Sequence, residues 1–242
     1  MGFVDTHLHL EELGDAGEVV AQAAAAGVTR MIAMGVDAAT NRKVIELARE
    51  HDGVWAAVGH HPTESGEPDL PLPIDSRVVA IGEVGLDFER GGQGQIERLD
   101  ALFAMAVELN LPVSIHNRGA TQQVAQLIAA YPGLRGVMHY FTLGWDDAKR
   151  FLDFGFYLSF AGVITRPSRH ELRDVAKRCP ADRLLLETDS PYGNSQKRMG
   201  IQNRPAYLID TAELVAELRG ISVDALGDLE VANALALFDR ML

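Results

Sequence analysis

Two histidines two residues apart stand near the start of the chain, in Gly2-Phe3-Val4-Asp5-Thr6-His7-Leu8-His9. If this stretch is a strand, alternation puts Phe3, Asp5, His7 and His9 on one face and Val4, Thr6 and Leu8 on the other. Two imidazoles on one strand face, with a carboxylate beneath, are able to grip a metal ion together; the same spacing on a helix would splay them apart. Groups of ligand type recur downstream at Glu83, His116, His139 and Asp189. Four imidazoles and two carboxylates exceed what one tetrahedral ion takes. They suit two divalent ions roughly 3.5–4 Å apart that share a bridge. Glu83, with two carboxylate oxygens, is the expected bridge; His7, His9 and Asp189 complete one ion, and His116 with His139 the other. Such a donor set admits Zn²⁺ or Mn²⁺, with a weakly held Mg²⁺ as the third option.

Side chains so far apart in sequence meet only if regular elements bring them together. Runs of strand character fall at 3–8, 29–34, 54–59, 78–83, 112–116, 136–140, 156–160 and 183–188. Amphipathic helical stretches lie between them at 15–26, 38–51, 95–110, 121–131, 146–154, 168–178 and 205–218. Strands alternating with helices predict right-handed βαβ units and a parallel sheet. The count and the length match an α/β fold, a single (β/α)₈ TIM-like barrel. An open doubly wound sheet is the rival, but no Gly-x-Gly-x-x-Gly turn follows the first strand. One unit is incomplete, because four prolines between Gly59 and Val78 leave little room for a helix. Ser222 is positioned to cap a short helical turn, and 228–241 reads as a closing helix. Glu83 and His116 then close strands four and five, His139 comes late in strand six, and Asp189 directly follows strand eight. All six ligand-type residues fall on the C-terminal rim, where barrels of this kind keep their active sites.

The chain has 242 residues and an ordinary apolar share of 47%. With no repeat or linker, one domain over 1–242 is expected. A net charge of −12 argues against a broad basic surface that coats nucleic acid, yet leaves room for an anion site whose positive charge comes from metal ions. No apolar run approaches the roughly 20 residues of a membrane helix, and no signal-peptide pattern opens the chain. The lone Cys179 cannot form an internal disulfide and reads as inert packing. A cytoplasmic monomer with no membrane contact is expected.

Four motifs in order carry a family resemblance: Asp-Thr-His-Leu-His at 5–9, Gly-Glu-Val-Gly-Leu-Asp at 82–87, Pro-Val-Ser-Ile-His-Asn-Arg at 112–118 and Glu-Thr-Asp-Ser-Pro-Tyr at 187–192. The chain thereby resembles the TatD family of metal-dependent deoxyribonucleases, within the amidohydrolase superfamily. His61-Pro62 is similar to that family's Gly-x-His-Pro turn, and Asn233 to Phe238 to its closing Asn-x-x-x-x-Phe. The resemblance implies a TIM-like barrel, a dinuclear centre on His7, His9, Glu83, His116, His139 and Asp189, and phosphodiester hydrolysis. Three departures lie in rim loops: a longer Tyr140-Phe141-Thr142-Leu143-Gly144, Gln202-Asn203-Arg204-Pro205 with a base in place of an acid, and the eroded helix after strand three.

Such a centre would activate a water for in-line attack at phosphorus, with Asp189 as the expected base and Glu83 holding both ions. Arg118 either holds a phosphate oxygen or pairs with Glu187 or Asp87. His61 either touches substrate or orients the second ion's ligands. Arg166, Arg169, Lys197, Arg198 and Arg204 form a basic edge for a DNA strand or are solvated loop charges. Phe88, Tyr140, Phe141 and Tyr192 either stack on bases or pack under the loops, the latter slightly favoured. The expected partner is DNA, single-stranded or at an end, cut exonucleolytically. The alternatives are a small-molecule ester, lactone or amide hydrolase, or an aminoacyl-tRNA deacylase, on the same barrel. A non-catalytic, metal-stabilised binding protein is disfavoured by so full a ligand set.

Overall fold

The structure is a computed structural model that describes residues 2–242. Eight strands run parallel in sequence order: β1 (Phe3–Leu8), β2 (Val28–Met34), β3 (Val54–Val58), β4 (Val78–Asp87), β5 (Val113–Arg118), β6 (Gly136–Met138), β7 (Tyr157–Phe160) and β8 (Leu184–Leu186). Helices α1 (Ala16–Ala25), α2 (Ala38–Glu50), α3 (Gln95–Leu109), α4 (Thr121–Ala130), α5 (Trp145–Asp153) and α6 (His170–Arg178) return the chain between strands. After β8 come α7 (Leu208–Arg219) and α8 (Val223–Leu237). The result is the expected (β/α)₈ barrel.

Helix ends follow the local chemistry. Asp15 accepts from the Glu18 N–H at the start of α1, and Asp37 and Thr40 form a reciprocal capping box on α2. Gly220, left-handed at φ 66°, ends α7. Ser222 caps α8 itself rather than a separate turn, so the closing helix begins earlier than expected and gives way to a 3₁₀ turn at Asp239–Met241. No helix forms between β3 and β4, as the prolines predict.

Two apolar layers hold the barrel. Outside, Phe3, Met31, Val54, Val113, Leu158 and Leu184 pack under the helices. Inside, Val4, Ile32, Ala57, Val79, Val137 and Leu185 meet Leu237, Phe238 and Met241 from the chain's end. That last segment therefore fills the barrel end opposite the rim.

Strict alternation fails where it matters. Thr6 Oγ lies 3.2 Å from Ser159 Oγ of β7, and His7 Nδ1 lies 3.2 Å from Ser114 Oγ of β5. Adjacent residues thus both face the interior, while Phe3 turns outward against Gly227 of α8. A register irregularity between Asp5 and Leu8 allows this, so Asp5 does not share the face of His7 as the two-residue period predicted. In β4 the pairing slips against β3 between Val78 and Ala80 and against β5 between Ile81 and Val84, which breaks the expected Val79–Ile81–Glu83 face and puts Ile81 in the outer layer. Strand ends shift too. β4 and β5 run on past Glu83 and His116 to pair Asp87 with Arg118, β6 stops one residue before His139, and β8 stops three before Asp189.

The seam between β8 and β1 is closed chiefly by side chains. Thr188 donates its backbone N–H and its hydroxyl to Asp5, Thr6 donates to the Leu186 carbonyl, and the Val4 N–H donates to Glu230 of α8 at 3.0 Å. Backbone bonds resume at the rim, from Asp189 N to His7 O and from His9 N to Ser190 O.

Candidate metal centre

The six residues expected from sequence converge at the C-terminal mouth, and His61 joins them. Glu83 is their hub. Its Oε2 lies 3.4 Å from His7 Nε2 and 3.7 Å from His9 Nε2. Its Oε1 lies 3.3 Å from His61 Nε2, 3.0 Å from His116 Nδ1 and 3.1 Å from His139 Nε2. Asp189 Oδ1 completes the first group, 3.7 Å from His7 and 3.6 Å from His9. Asp189 reaches back because its backbone is left-handed, φ 55°, a conformation that aspartate tolerates better than most residues. The trios His7–His9–Asp189 and His61–Glu83–His116 each bring three ligand atoms within 4.8 Å of one another.

Three of the rings, His7, His116 and His139, are held from behind. Ser114 meets His7 Nδ1. Asp87 Oδ2 meets His116 Nε2 at 3.2 Å and also receives Arg118 at 3.3 Å, while its Oδ1 accepts the N–H groups of Glu89 and Arg90. Arg118 thus pairs with Asp87, one of the two partners named for it, with its side chain 38% exposed. Glu187 Oε1 meets His139 Nδ1 at 3.1 Å and accepts the Tyr140 N–H at 2.7 Å. Sequence reasoning names Asp87 and Glu187 as partners for Arg118 and gives Glu187 a role in orienting neighbours, without assigning the ring that either one holds. Their signal was spacing: each stands in an acidic motif with a candidate ligand, four residues after Glu83 and two before Asp189.

Charge and burial set the electrostatics. Burial alone would raise Glu83, but His139, His61 and His7, with the His116 hydrogen bond, hold its carboxyl well below the ordinary range. Burial opposes charge on His139, yet Glu187 and Glu83 outweigh it and keep that imidazole well above its usual value. Burial likewise opposes charge on His9, but Asp189 and Glu83 push it up to about 9. His7, fully buried and stacked on His139 with centroids 3.6 Å apart, is pushed down to about 4. His7 Nε2 and His9 Nδ1 are buried without a hydrogen-bond partner. An orphaned imidazole nitrogen aimed between carboxylates is a vacancy in the hydrogen-bond scheme that a divalent cation fits, and so is a hub carboxylate ringed by imidazoles.

Around the rim, three of the five residues of the expected basic edge are engaged, whereas Arg166 and Arg169 have no ion-pair partner among the described residues. Lys197 pairs with Glu213 at 2.7 Å and Arg198 with Asp210 at 3.2 Å, both on α7. Arg204 donates to Gln22 of α1 at 2.8 Å and is not brought to the histidine cluster. Its neighbour Asn203 donates to the Thr188 carbonyl at 2.9 Å and braces the loop that carries Asp189. The aromatic set divides: Phe141 is buried at 3% exposure, whereas Phe88 is 46% and Tyr192 53% exposed. Cys179 is buried, and burial pushes its thiol up to about 12.

Comparison with known proteins gives a consistent picture. The family model for TatD related DNase matches residues 4–239. The uncharacterized metal-dependent hydrolase YabD of Bacillus subtilis is 36% identical over 97% of this chain and 98% of its own length. The protein named 3'-5' ssDNA/RNA exonuclease TatD of Erwinia amylovora is 34% identical over 93% of each chain. Among solved structures, the TatD homolog YjjV of Escherichia coli superposes with a TM-score of 0.86 at 29% identity, covering 98% of both chains.

Proposed function

The chain belongs to the TatD-related DNase family of metal-dependent hydrolases, and from that premise we propose that it hydrolyses phosphodiester bonds of single-stranded DNA from an end, using two divalent cations. The supporting observation is the division of Glu83: one carboxylate oxygen faces His7 and His9, the other faces His61, His116 and His139. A carboxylate shared between two imidazole groups is what a bridged pair of ions requires. His7, His9 and Asp189 would hold one ion, and His116 and His139 the other, with Glu83 common to both. His61 converges on the same oxygen as His116 and His139 and supplements the second group.

Bound cations would acidify a water and offset charge on phosphoryl oxygens. The residues do the rest. Asp189, at the mouth and 15% exposed in its side chain, accepts the proton of the attacking water. Asp87 and Glu187 fix the rings of His116 and His139, so the ligand cage does not reorganise during the reaction. Arg118, tied to Asp87, acts on the substrate only through that pair. Arg204 takes no part in phosphate binding in this reading.

The decisive experiment is a panel of end-labelled single- and double-stranded DNA, with Mg²⁺, Mn²⁺ or Zn²⁺, beside small esters, lactones and aminoacyl-tRNA. Shortening of single-stranded DNA from one end supports the reading. Turnover confined to the esters, lactones or aminoacyl-tRNA overturns it.

A further inference from the structure

Tyr192 and Phe88 flank the histidine cluster on opposite sides of the mouth. Tyr192 lies in the loop after β8, its ring 5.8 Å from that of His9, and its hydroxyl donates to Glu12 at 2.8 Å. Phe88 directly follows Asp87, the residue that holds His116, at the end of β4. In a ring of eight strands, β4 and β8 are diametrically opposed. Both rings expose about half of their surface, whereas Phe141 in the neighbouring rim loop is buried. The Tyr192 loop also exposes Met199 and Ile201. It is tied back by Asn203 and Asn194, which bond its own carbonyls, so it presents its apolar side chains on a fixed frame.

Much of the basic edge is taken up by other protein groups. Lys197, Arg198 and Arg204 are engaged by Glu213, Asp210 and Gln22, and the chain carries a net charge of −12. Tracking of a phosphate backbone by cations, the usual source of affinity, is left on this edge to Arg166 and Arg169, which have no ion-pair partner among the described residues. An exposed aromatic face beside the reacting phosphate supplies a different attraction, because every unpaired base has a π-face to stack on it.

We propose that Tyr192 and Phe88 are base-stacking platforms, one on each side of the scissile phosphate, and that they select unpaired nucleotides over duplex. This rests on the phosphodiesterase reading above. In a duplex the base faces are covered by their neighbours and are closed to either ring. In a single strand, the nucleotide on the His9 side meets Tyr192 and the one on the His116 side meets Phe88.

The test compares wild type with Tyr192→Ala, Tyr192→Trp, Phe88→Ala and Phe88→Trp on a single-stranded oligonucleotide. Each alanine variant should raise KM by roughly fivefold to 150-fold, with kcat changing much less, and each tryptophan variant should restore KM. The emission of the added tryptophan should also be quenched by a phosphorothioate oligonucleotide and not by inorganic polyphosphate. Alanine variants with wild-type KM, or tryptophan variants as impaired as alanine ones, would overturn the proposal and leave phosphodiester hydrolysis standing. Failure of wild type to cleave any oligonucleotide would overturn that reading, and this inference with it.

Discussion

Glu187 reaches from just past β8 to His139 just past β6, a contact of 3.1 Å that closes behind the ring whose other nitrogen faces Glu83. The same carboxylate oxygen takes the Tyr140 N–H, so one group sets both the imidazole and the backbone beside it. Carboxylates placed behind ligand rings typically contribute 10–100-fold in metal affinity or activity. Glu187→Gln should keep the Tyr140 bond and lose about tenfold; Glu187→Ala should lose more. Divalent-metal titration by calorimetry checks the order, and equal affinities for both variants and wild type would refute it.

Glu83→Ala removes the group both halves of the cluster share. Divalent metal bound per chain should fall to near zero, whereas His116→Ala should retain part of it. The check is elemental analysis after loading and desalting. The melting temperature gained by wild type on adding metal should vanish in the Glu83 variant.

Asp189→Asn preserves shape and one ligating oxygen but cannot take a proton. Turnover should drop by ~10²–10⁴, in kcat rather than KM, with His61, His116 and His139 still able to bind an ion. Near-normal turnover at saturating metal would assign the proton to another acceptor.

Glu230, fully buried against the β8–β1 seam, carries a carboxyl that burial pushes up to about 8, against hydrogen bonds from the Val4 and Leu186 N–H groups. A folded-state value above the unfolded one means the native chain holds the extra proton. Stability from this group is therefore present at low pH and declines as pH rises from near 4.5 through 8, by at most about 1.4 kcal/mol per pH unit. Glu230→Gln mimics the protonated form and should flatten the fall of Tm between pH 5 and 9. An unchanged Tm profile would show that the seam does not titrate through Glu230.

Neutralising Lys197 and Arg198 together should change the slope of oligonucleotide binding against log salt by less than one, because both are paired with Asp210 and Glu213. A larger change would mean these pairs open to meet a phosphate backbone. Losing the exposed Lys197–Glu213 pair should cost little stability, whereas losing Arg198 as well leaves the buried Asp210 carboxylate to Ser195 alone and should lower Tm.

Much of this was legible in the sequence because ligand-type residues announce themselves at strand ends. His7, His9, Glu83, His116, His139 and Asp189 stand out by type, spacing and family motif and converge in the structure, and the barrel follows from the alternation of elements. What periodicity missed were the irregularities in β1 and β4. A two-residue period carries no sign of where a strand slips, so Asp5 was assigned to the face of His7 although it faces Thr188. Arg204, one residue of the basic edge, donates to Gln22, and a pairing that depends on α1 packed nearby is one no local pattern reveals. The prolines of 60–77 worked the other way, since a missing donor excludes a helix whatever surrounds it.

The side-chain seam between the first and last strands has a consequence for when this chain becomes active. Asp5 and Thr188 are 183 positions apart, and the trio His7–His9–Asp189 straddles the same join. The centre as proposed is therefore split between two segments that lie far apart along the chain and meet only at the seam. A truncated chain carries His7 and His9 but no Asp189, and nothing to bring the two ends of the barrel together. A hydrolase built this way gains its centre only when the barrel closes, and loosening the seam would disable it without touching any ligand-type residue.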